Sequence, residues 1–140
     1  MREVVMDTET TGLDPKDGHK VVEIGAVELL NHIPTGRTFH KYINPQRLMP
    51  KEAFDVHGLS NEFLKKHPTF RQLAESFLEF IGPSKLIIHN ASFDIKFLNS
   101  ELEASGFRKI SNERVLDTLM LARQKFPGSP ASLDALSRRF

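Results

Sequence analysis

The chain begins with short apolar runs that are typical of β-strands. Val4–Met6 is followed, after a polar loop containing glycine, proline and aspartate, by Lys20–Leu30. A third run, His40–Ile43, ends at Asn44-Pro45. Apolar and β-branched runs bounded by turn residues predict strands. We therefore predict three strands here, the first two joined by a wide turn.

The rest of the chain predicts helices alternating with strands. Thr69 and Gln72 resemble a capping box, and the apolar residues that follow recur at helical spacing as far as Gly82-Pro83. The other predicted elements are two small helices within 49–67, a strand at Leu86–Ile88, a helix at Phe93–Ser105, a short strand at Val115–Leu116, a helix at Thr118–Lys125 and a helix capped by Ser132. This order predicts an α/β domain with a mixed central sheet.

Composition narrows the class of protein. With 140 residues, 39% of them hydrophobic, the chain is expected to form a single domain that buries roughly 68 to 70% of its unfolded surface. The formal net charge of +1 provides no overall positive field, so an anionic ligand must be captured locally. The absence of cysteine and of any apolar stretch of membrane-spanning length favours a cytoplasmic protein without a membrane partner.

Two carboxylates follow the first predicted strand, in the stretch VVMDTETTGLD. Asp7 and Glu9 stand two residues apart and are expected on one face of the strand, near its carboxyl end, where open α/β sheets place ligands. Carboxylates that close share a proton or hold a cation, and oxygen ligands suit magnesium or manganese. Thr8, Thr10 and Gly12 add hydroxyls and amides suited to a sugar or phosphate oxygen. A solvated strand end followed by a turn is the alternative interpretation.

A third carboxylate occurs in a similar place, in the stretch LIIHNASFD. Asp94 follows a predicted strand and stands in the first turn of a predicted helix. A negative charge is favourable at a helix N-terminus for structural reasons alone. His89, Asn90 and Phe93 crowd polar and aromatic groups beside it, so a structural and a functional role for Asp94 both stay open at this point.

Together these motifs carry a resemblance to a known family. DTETTGLD and HNASFD match the first and second motifs of the DEDD superfamily of exonucleases. With VVEIGAV, FDVHGLS, VLDTLMLAR and FPGSPASLDAL, the whole chain resembles its proofreading branch, the epsilon-type subunits of bacterial replicative DNA polymerases. The resemblance implies a ribonuclease H-like fold around a five-stranded mixed sheet, and a 3′–5′ exonuclease that uses two divalent cations, Mg²⁺ or Mn²⁺.

The same resemblance assigns roles to individual residues. It implies that Asp7, Glu9 and Asp94 are the catalytic and metal-binding carboxylates, and that Glu52 and His57 face the terminal nucleotide. The expected partners are the 3′ end of single-stranded DNA, the catalytic (alpha) subunit of the polymerase and the replicase core. Phe93 is expected either to contact the terminal base or sugar, because stacking tolerates any sequence, or to lie in the core.

The chain departs from the family pattern in its last part. The branch it resembles has a third motif, in which a histidine general base precedes a fourth acidic ligand by five residues. In this sequence only His89 is followed five residues later by an aspartate, Asp94, and Asp94 already belongs to the second motif. A strand-end imidazole that bonds neighbouring backbone is the favoured interpretation of His89. We therefore expect residues 1–140 to form a C-terminally incomplete exonuclease domain with little or no activity, because losing a general base reduces rates typically 10²- to 10⁴-fold.

Two other functions stay open from sequence alone. One is an enzyme of the same superfamily that trims the 3′ ends of RNA or short oligonucleotides. The other is a non-catalytic module that binds a 3′ end or a polymerase, an interpretation that the absent third motif favours. Asp117, which follows the last predicted strand, is interpreted as a helix-start or cap residue outside the metal set.

Overall fold

The computed structural model describes residues 1–120, which form one sheet with helices packed on it. The strands are β1 (Arg2–Thr10), β2 (Val21–Leu30), β3 (Ile33–Tyr42), β4 (Lys85–Ile88) and β5 (Val115–Asp117). The helices are α1 (Lys51–His57), α2 (Asn61–Lys65), α3 (Phe70–Ile81) and α4 (Ala91–Ala104), and two short 3₁₀ turns span Pro15–Asp17 and Asn112–Arg114.

The sheet is mixed and has the strand order β3-β2-β1-β4-β5. β1 pairs antiparallel with β2 and parallel with β4. β2 pairs antiparallel with β3, and β4 pairs parallel with β5. The predicted α/β class with a five-stranded mixed sheet is confirmed. Because β1 is central and β4 runs beside it in the same direction, the carboxyl ends of both strands meet at one edge.

One face of the sheet is covered by α3 and α4. On β1, Val4, Met6, Thr8 and Thr10 are buried, whereas Val5 and Asp7 on the alternate positions are exposed. The buried face packs against a core that includes Phe77 of α3 and Phe97 and Leu98 of α4, which have no exposed surface. The alternate face, here called the open face, keeps Val5 and Val27 36% and 39% exposed within the described residues.

Helix α3 lies where the sequence predicts it, and the predicted capping interaction is present at its N-terminus. The amide of Thr69 donates to Gln72 Oε1 at 2.9 Å, which satisfies a donor ahead of the first turn. Six of its twelve residues are buried, and their spacing forms one apolar face: Phe70, Leu73, Ala74, Phe77, Phe80 and Ile81. The two small helices predicted within 49–67 are α1 and α2.

The first and third strands are longer than the sequence predicts. β3 begins at Ile33 instead of His40, directly after Asn31 and His32, whose φ values of 53° and 70° are typical of the tight turn of a hairpin. β3 lies at the sheet edge, and the side chains of its first half are exposed whether polar or apolar, so it lacks the alternation that identifies a strand. Edge strands also tolerate proline, which is why Pro34 does not end it.

Two predicted elements lie outside or at the limit of the described residues. The helix predicted at Thr118–Lys125 has only residues 118–120 within them, and the helix capped by Ser132 has none. Among the helices of residues 1–120, none combines the length and the apolar character that crossing a membrane requires.

Candidate active site

β1 places the first two carboxylates together on the open face, as predicted. Asp7 is exposed and Glu9 is half-buried, and they alternate with the buried Thr8 and Thr10. Glu9 is directly opposite Glu23 of β2 in the antiparallel pairing. The hairpin therefore adds a carboxylate that the sequence motifs alone do not indicate.

The third carboxylate comes from the first turn of α4. Asn90 connects β4 to α4 in the left-handed conformation, with φ 60° and ψ 53°, which asparagine adopts more readily than most residues. Asp94 is only 4% exposed, and its Oδ2 atom is buried without a hydrogen-bond partner among the described residues. The Thr8 hydroxyl is likewise buried without a partner. Unpaired buried polar atoms are rare because they carry a desolvation penalty; a proton on Asp94 or a bound cation would remove that penalty here.

Burial raises the pKa values of all three carboxylates, and neighbouring carboxylates raise them further. Burial raises the pKa of Asp94 to about 7, and the negative charges of Asp7 and Glu9 add to the rise, while the Thr8 hydroxyl and amide dipoles oppose it in part. Desolvation also raises the pKa of Glu9, reinforced by Asp7 and Glu23 and opposed by His57. The pKa of Asp7 is raised by desolvation and by Glu23, against the Thr8 amide and His89. Ionised carboxylates are therefore unfavourable in this site, and a bound cation would stabilise them.

The carboxylates do not form a closed metal-binding cluster. Within residues 1–120, no group of three or more His, Cys, Asp or Glu side chains is close enough to hold a metal ion. Asp7 and Asp94 both interact with Thr8, and Asp7 is near enough for its charge to raise the pKa of Asp94. The donor set is nevertheless chemically suited to Mg²⁺ or Mn²⁺, and the unpartnered Asp94 oxygen fits such a group.

Helix α1 brings Glu52 and His57 to the end of β1. His57 Nε2 donates to the Thr10 carbonyl at 3.1 Å, and its Nδ1 accepts from the Leu59 amide at 3.1 Å. Both ring nitrogens are thus engaged with backbone, which fixes the tautomer. This contact pins α1 against β1.

A cavity of about 510 Å³ lies between these elements. Most of the predicted substrate residues line it, and the full set is Thr8, Glu9, Thr10, Thr11, Gly12, Leu13, Asp17, His19, Pro50, Glu52, Ala53, Val56, His57 and Phe93. Its volume is in the range of small-molecule sites. Asn90, Asp7 and Asp94 are not among the lining residues, so the cavity lies beside the carboxylates.

Phe93 combines both interpretations of the sequence. Its half-buried ring packs against the core and lies 5.1 Å from the Phe97 ring centroid, yet it also lines the cavity. His19 lines the same cavity but belongs to none of the predicted site motifs. The one sequence signal for His19 is its position in the polar loop that follows the first motif.

Asp117 is placed as expected, whereas the partner of His89 differs from the prediction. His89 Nδ1 lies 3.0 Å from Thr118 Oγ1, so its partner is a side-chain hydroxyl where a backbone group was expected. Asp117 Oδ1 accepts from the amides of Asn90 and Leu119 at 3.0 and 2.9 Å. These bonds agree with the predicted cap role of Asp117, which leaves it outside the carboxylate group.

A second depression, of about 650 Å³, lies on the open face. Its lining includes the apolar Val5, Val27 and Ile87 together with Asp7 and His89. Although this depression is larger, fewer polar residues line it than line the cavity beside Glu9, which is therefore the better candidate for a nucleotide.

Comparison with known proteins identifies relatives along the whole chain. A family model described as Exonuclease matches residues 4–140. DNA polymerase III subunit epsilon of Rickettsia conorii is 57% identical over 143 residues, covering 100% of this chain and 62% of the relative. The subunit of the same name from Escherichia coli K12 is 46% identical over 147 residues, covering 99% and 60%. The chain therefore spans about three fifths of the length of these curated relatives.

Solved structures share the fold. A structure of exonuclease X in complex with 5′-overhanging duplex DNA has a TM-score of 0.74 at 24% identity, covering 98% of this chain and 72% of that chain. A product-bound structure of exonuclease I has a TM-score of 0.83 at 14% identity, covering 98% and 37%. At identities this low, the likeness shows a shared fold alone. This fold agrees with the expected ribonuclease H-like architecture.

Proposed function

The chain belongs to the exonuclease family, and from this premise we propose that it performs 3′–5′ exonucleolytic proofreading for a replicative DNA polymerase. The relatives named DNA polymerase III subunit epsilon, similar over the whole chain, support the choice of a polymerase subunit. The structural observation that carries the proposal is the buried, unpartnered Asp94 oxygen among three carboxylates with raised pKa values, beside a cavity of about 510 Å³.

Asp7, Glu9 and Asp94 are the residues that would hold divalent cations in this proposal. When bound between such carboxylates, two cations polarise a phosphodiester and stabilise the leaving 3′ oxygen. Among the three, Asp94 gains most from a positive charge, because its carboxylate is the most buried. An anionic pocket in a chain of net charge +1 would repel phosphate unless cations are present.

The remaining residues hold the terminal nucleotide in place. Glu52 and His57 of α1 form one wall of the cavity, and Thr8, Thr10 and Gly12 of the first motif form another. Phe93 offers a half-buried aromatic surface to a sugar or base without selecting its identity. These walls orient the last nucleotide so that its phosphate reaches the carboxylates.

His57 is unsuited to act as the general base. Its Nε2 donates to the Thr10 carbonyl and its Nδ1 accepts from the Leu59 amide, so neither nitrogen is free to take a proton from water. In this proposal a group other than His57 takes the proton from the attacking water.

The test is degradation of a 5′-labelled DNA primer with a mismatched 3′ nucleotide, at high protein concentration with Mg²⁺ or Mn²⁺. We expect one-nucleotide steps from the 3′ end, stopped by EDTA and abolished in Asp94→Asn. Asp55→Asn is the matched control, because Asp55 is exposed and its partner is Lys51 at the surface. Equal degradation by Asp94→Asn and the control would overturn the proposal.

The same assay separates the alternatives. Faster degradation of a matched single-stranded RNA would replace proofreading by RNA trimming. Binding of a 3′ end that neither cations nor Asp7→Ala affect, without cleavage, would indicate a non-catalytic module. We propose the polymerase catalytic subunit as partner, because the relatives are named as a subunit of a DNA polymerase. The cytoplasm as compartment stays a prediction from the composition of the sequence.

A further inference from the structure

His19 stands in the loop between β1 and β2, with one ring nitrogen tied to the protein. Its Nδ1 lies 2.9 Å from Thr11 Oγ1, and the same oxygen accepts from the Lys20 amide at 3.0 Å. Thr11 is fully buried, and its hydroxyl proton has no other acceptor among the described residues. A buried hydroxyl keeps its proton bonded, so Thr11 donates to Nδ1 and the ring proton is on Nε2.

The His19 ring lies flat against Gly12, the turn residue of the first motif. A Cβ atom added to Gly12 would overlap Cε1, Nε2 and Cδ2 of the ring. Gly12 does not have a positive φ, so glycine is required there for space. The close packing holds the ring in one position on the cavity wall, with Glu9 and His57 also lining that cavity.

We propose that His19 is a nucleoside-binding residue, whose Nε2–H donates a hydrogen bond to an oxygen of the 3′-terminal nucleoside. The inference rests on the proposed exonuclease function. With the phosphate at the carboxylates, the nucleoside extends into the cavity that His19 lines, and Nε2 has no hydrogen-bond partner among the described residues. A neutral donor held rigidly by packing loses little conformational entropy when it binds.

Two substitutions separate the donor from the structural bond. Asparagine carries its amide at the position of Nδ1, so His19→Asn can keep the bond to Thr11 but removes the Nε2 donor. Glutamine carries its amide at the position of Nε2, so His19→Gln can restore the donor. His32→Asn is the matched control, because His32 is exposed in the β2–β3 turn and tolerates asparagine at its positive φ.

The measurement is equilibrium binding of thymidine 5′-monophosphate with Mn²⁺, by titration calorimetry, which needs no turnover. We expect His19→Asn to weaken binding about three- to tenfold, the loss of one neutral hydrogen bond. His19→Gln and His32→Asn are expected to bind nearly as tightly as the unaltered chain. Circular dichroism and thermal unfolding establish that each variant is folded.

Three outcomes would overturn the inference. Unchanged binding by His19→Asn would remove the donor from the site. If His19→Gln binds more weakly than His19→Asn, His19 acts only through its hydrogen bond to Thr11. If both variants lose the same affinity, His19 acts through its packing on Gly12. If the unaltered chain binds no thymidine monophosphate, both the proposed exonuclease function and the role of His19 fail. If the unaltered chain binds it and His19→Asn binds it equally well, only the role of His19 fails.

Ligand variants identify the oxygen that accepts the bond. If the acceptor is the sugar hydroxyl, the difference between His19→Asn and the unaltered chain disappears with the 3′-deoxy analogue of the nucleotide. If it is a base carbonyl, the difference disappears with deoxyribose 5-phosphate. A difference that persists with both ligands would place the contact on the phosphate and contradict the nucleoside assignment.

Discussion

Asp94 is an ionisable residue in a position that is unfavourable for a charge. A carboxylate that is 4% exposed, with one oxygen unpartnered, destabilises a fold unless a proton or cation accompanies it. Its position in the first turn of α4 offers favourable helix-dipole interaction, but burial and two neighbouring carboxylates outweigh this and raise its pKa to about 7. A bound cation would offset this unfavourable free energy, so a buried carboxylate here is consistent with a cation-binding site.

The pH dependence of stability should reveal how unfavourable that charge is. Between the ordinary value of 3.8 and about 7, the folded chain holds a proton on Asp94 that the unfolded chain releases. Stability therefore falls as pH rises through that range. In EDTA we expect Asp94→Asn to raise the free energy of unfolding at pH 8 by as much as about 4 kcal/mol, with little difference at pH 4. Urea unfolding at several pH values measures the free energy of unfolding of each variant. If its dependence on pH is the same for Asp94→Asn and the unaltered chain, the prediction is contradicted. Asp55→Asn serves as the control.

Gly12 should be intolerant of even a methyl group. In Gly12→Ala the new Cβ displaces the His19 ring and breaks its bond to Thr11. We expect thymidine monophosphate to bind about tenfold more weakly, because one hydrogen bond and the shape of the wall are lost together. Gly25→Ala is the control, since its Cβ meets no atom within 4 Å. Equal affinity of the two variants would show that the cavity wall adapts.

At the scale of elements, the β2–β3 hairpin is held by a buried charge. Glu28 on β2 is 3% exposed and accepts from Arg2 and Arg37 at 2.8 and 2.9 Å and from Thr35 at 3.1 Å. Arg37 also lies 4.7 Å above the Phe80 ring, so the same cluster joins the edge strand to α3. An otherwise polar edge strand is thereby fixed in register.

We expect Glu28→Gln to destabilise the fold at neutral pH. Burial by itself raises the pKa of Glu28, but hydrogen bonds from Arg37 and Thr35 and the charge of Arg2 outweigh it and lower the pKa. A lowered acid pKa contributes stability above the unfolded value of 4.5 that is lost as pH falls below it. Urea unfolding should therefore show a deficit for Glu28→Gln at pH 7 that shrinks towards pH 3. Glu75→Gln, at an exposed position of α3, should show none, and a deficit independent of pH would exclude the charge as its cause.

The whole molecule is predicted to respond to divalent cations through the same carboxylates. A ligand that binds only the folded state raises the free energy of unfolding, by about 2.7 kcal/mol when its concentration is 100 times its Kd. We expect Mn²⁺ at such concentrations to raise the melting temperature of the chain, and Asp7→Asn to reduce the rise. NaCl at the same ionic strength controls for screening. An unchanged melting temperature would contradict cation binding by the folded chain.

Much of this architecture could be predicted from local patterns. The apolar face of α3, its start at Thr69, the two short helices and the central strands follow from periodicity and turn residues. The missed half of β3 shows the limit, because a polar edge strand is stabilised by its neighbours and by Glu28 rather than by its own apolar residues. The placement of Glu23 opposite Glu9 likewise depended on a hairpin register that single-strand patterns do not encode.

The sequence by itself determined which groups are available: Asp7 and Glu9 two residues apart on a strand, Asp94 at the start of a helix, and a family pattern in the order of its motifs. These are local properties, set by the alternation of strands and the turn of helices. Only the tertiary structure decided that Asp94 is buried beside Thr8, and that His19 lies on the wall of the cavity. Burial, pKa and cavity shape arise from residues distant in the chain, since desolvation and Coulomb interactions depend on separation in space.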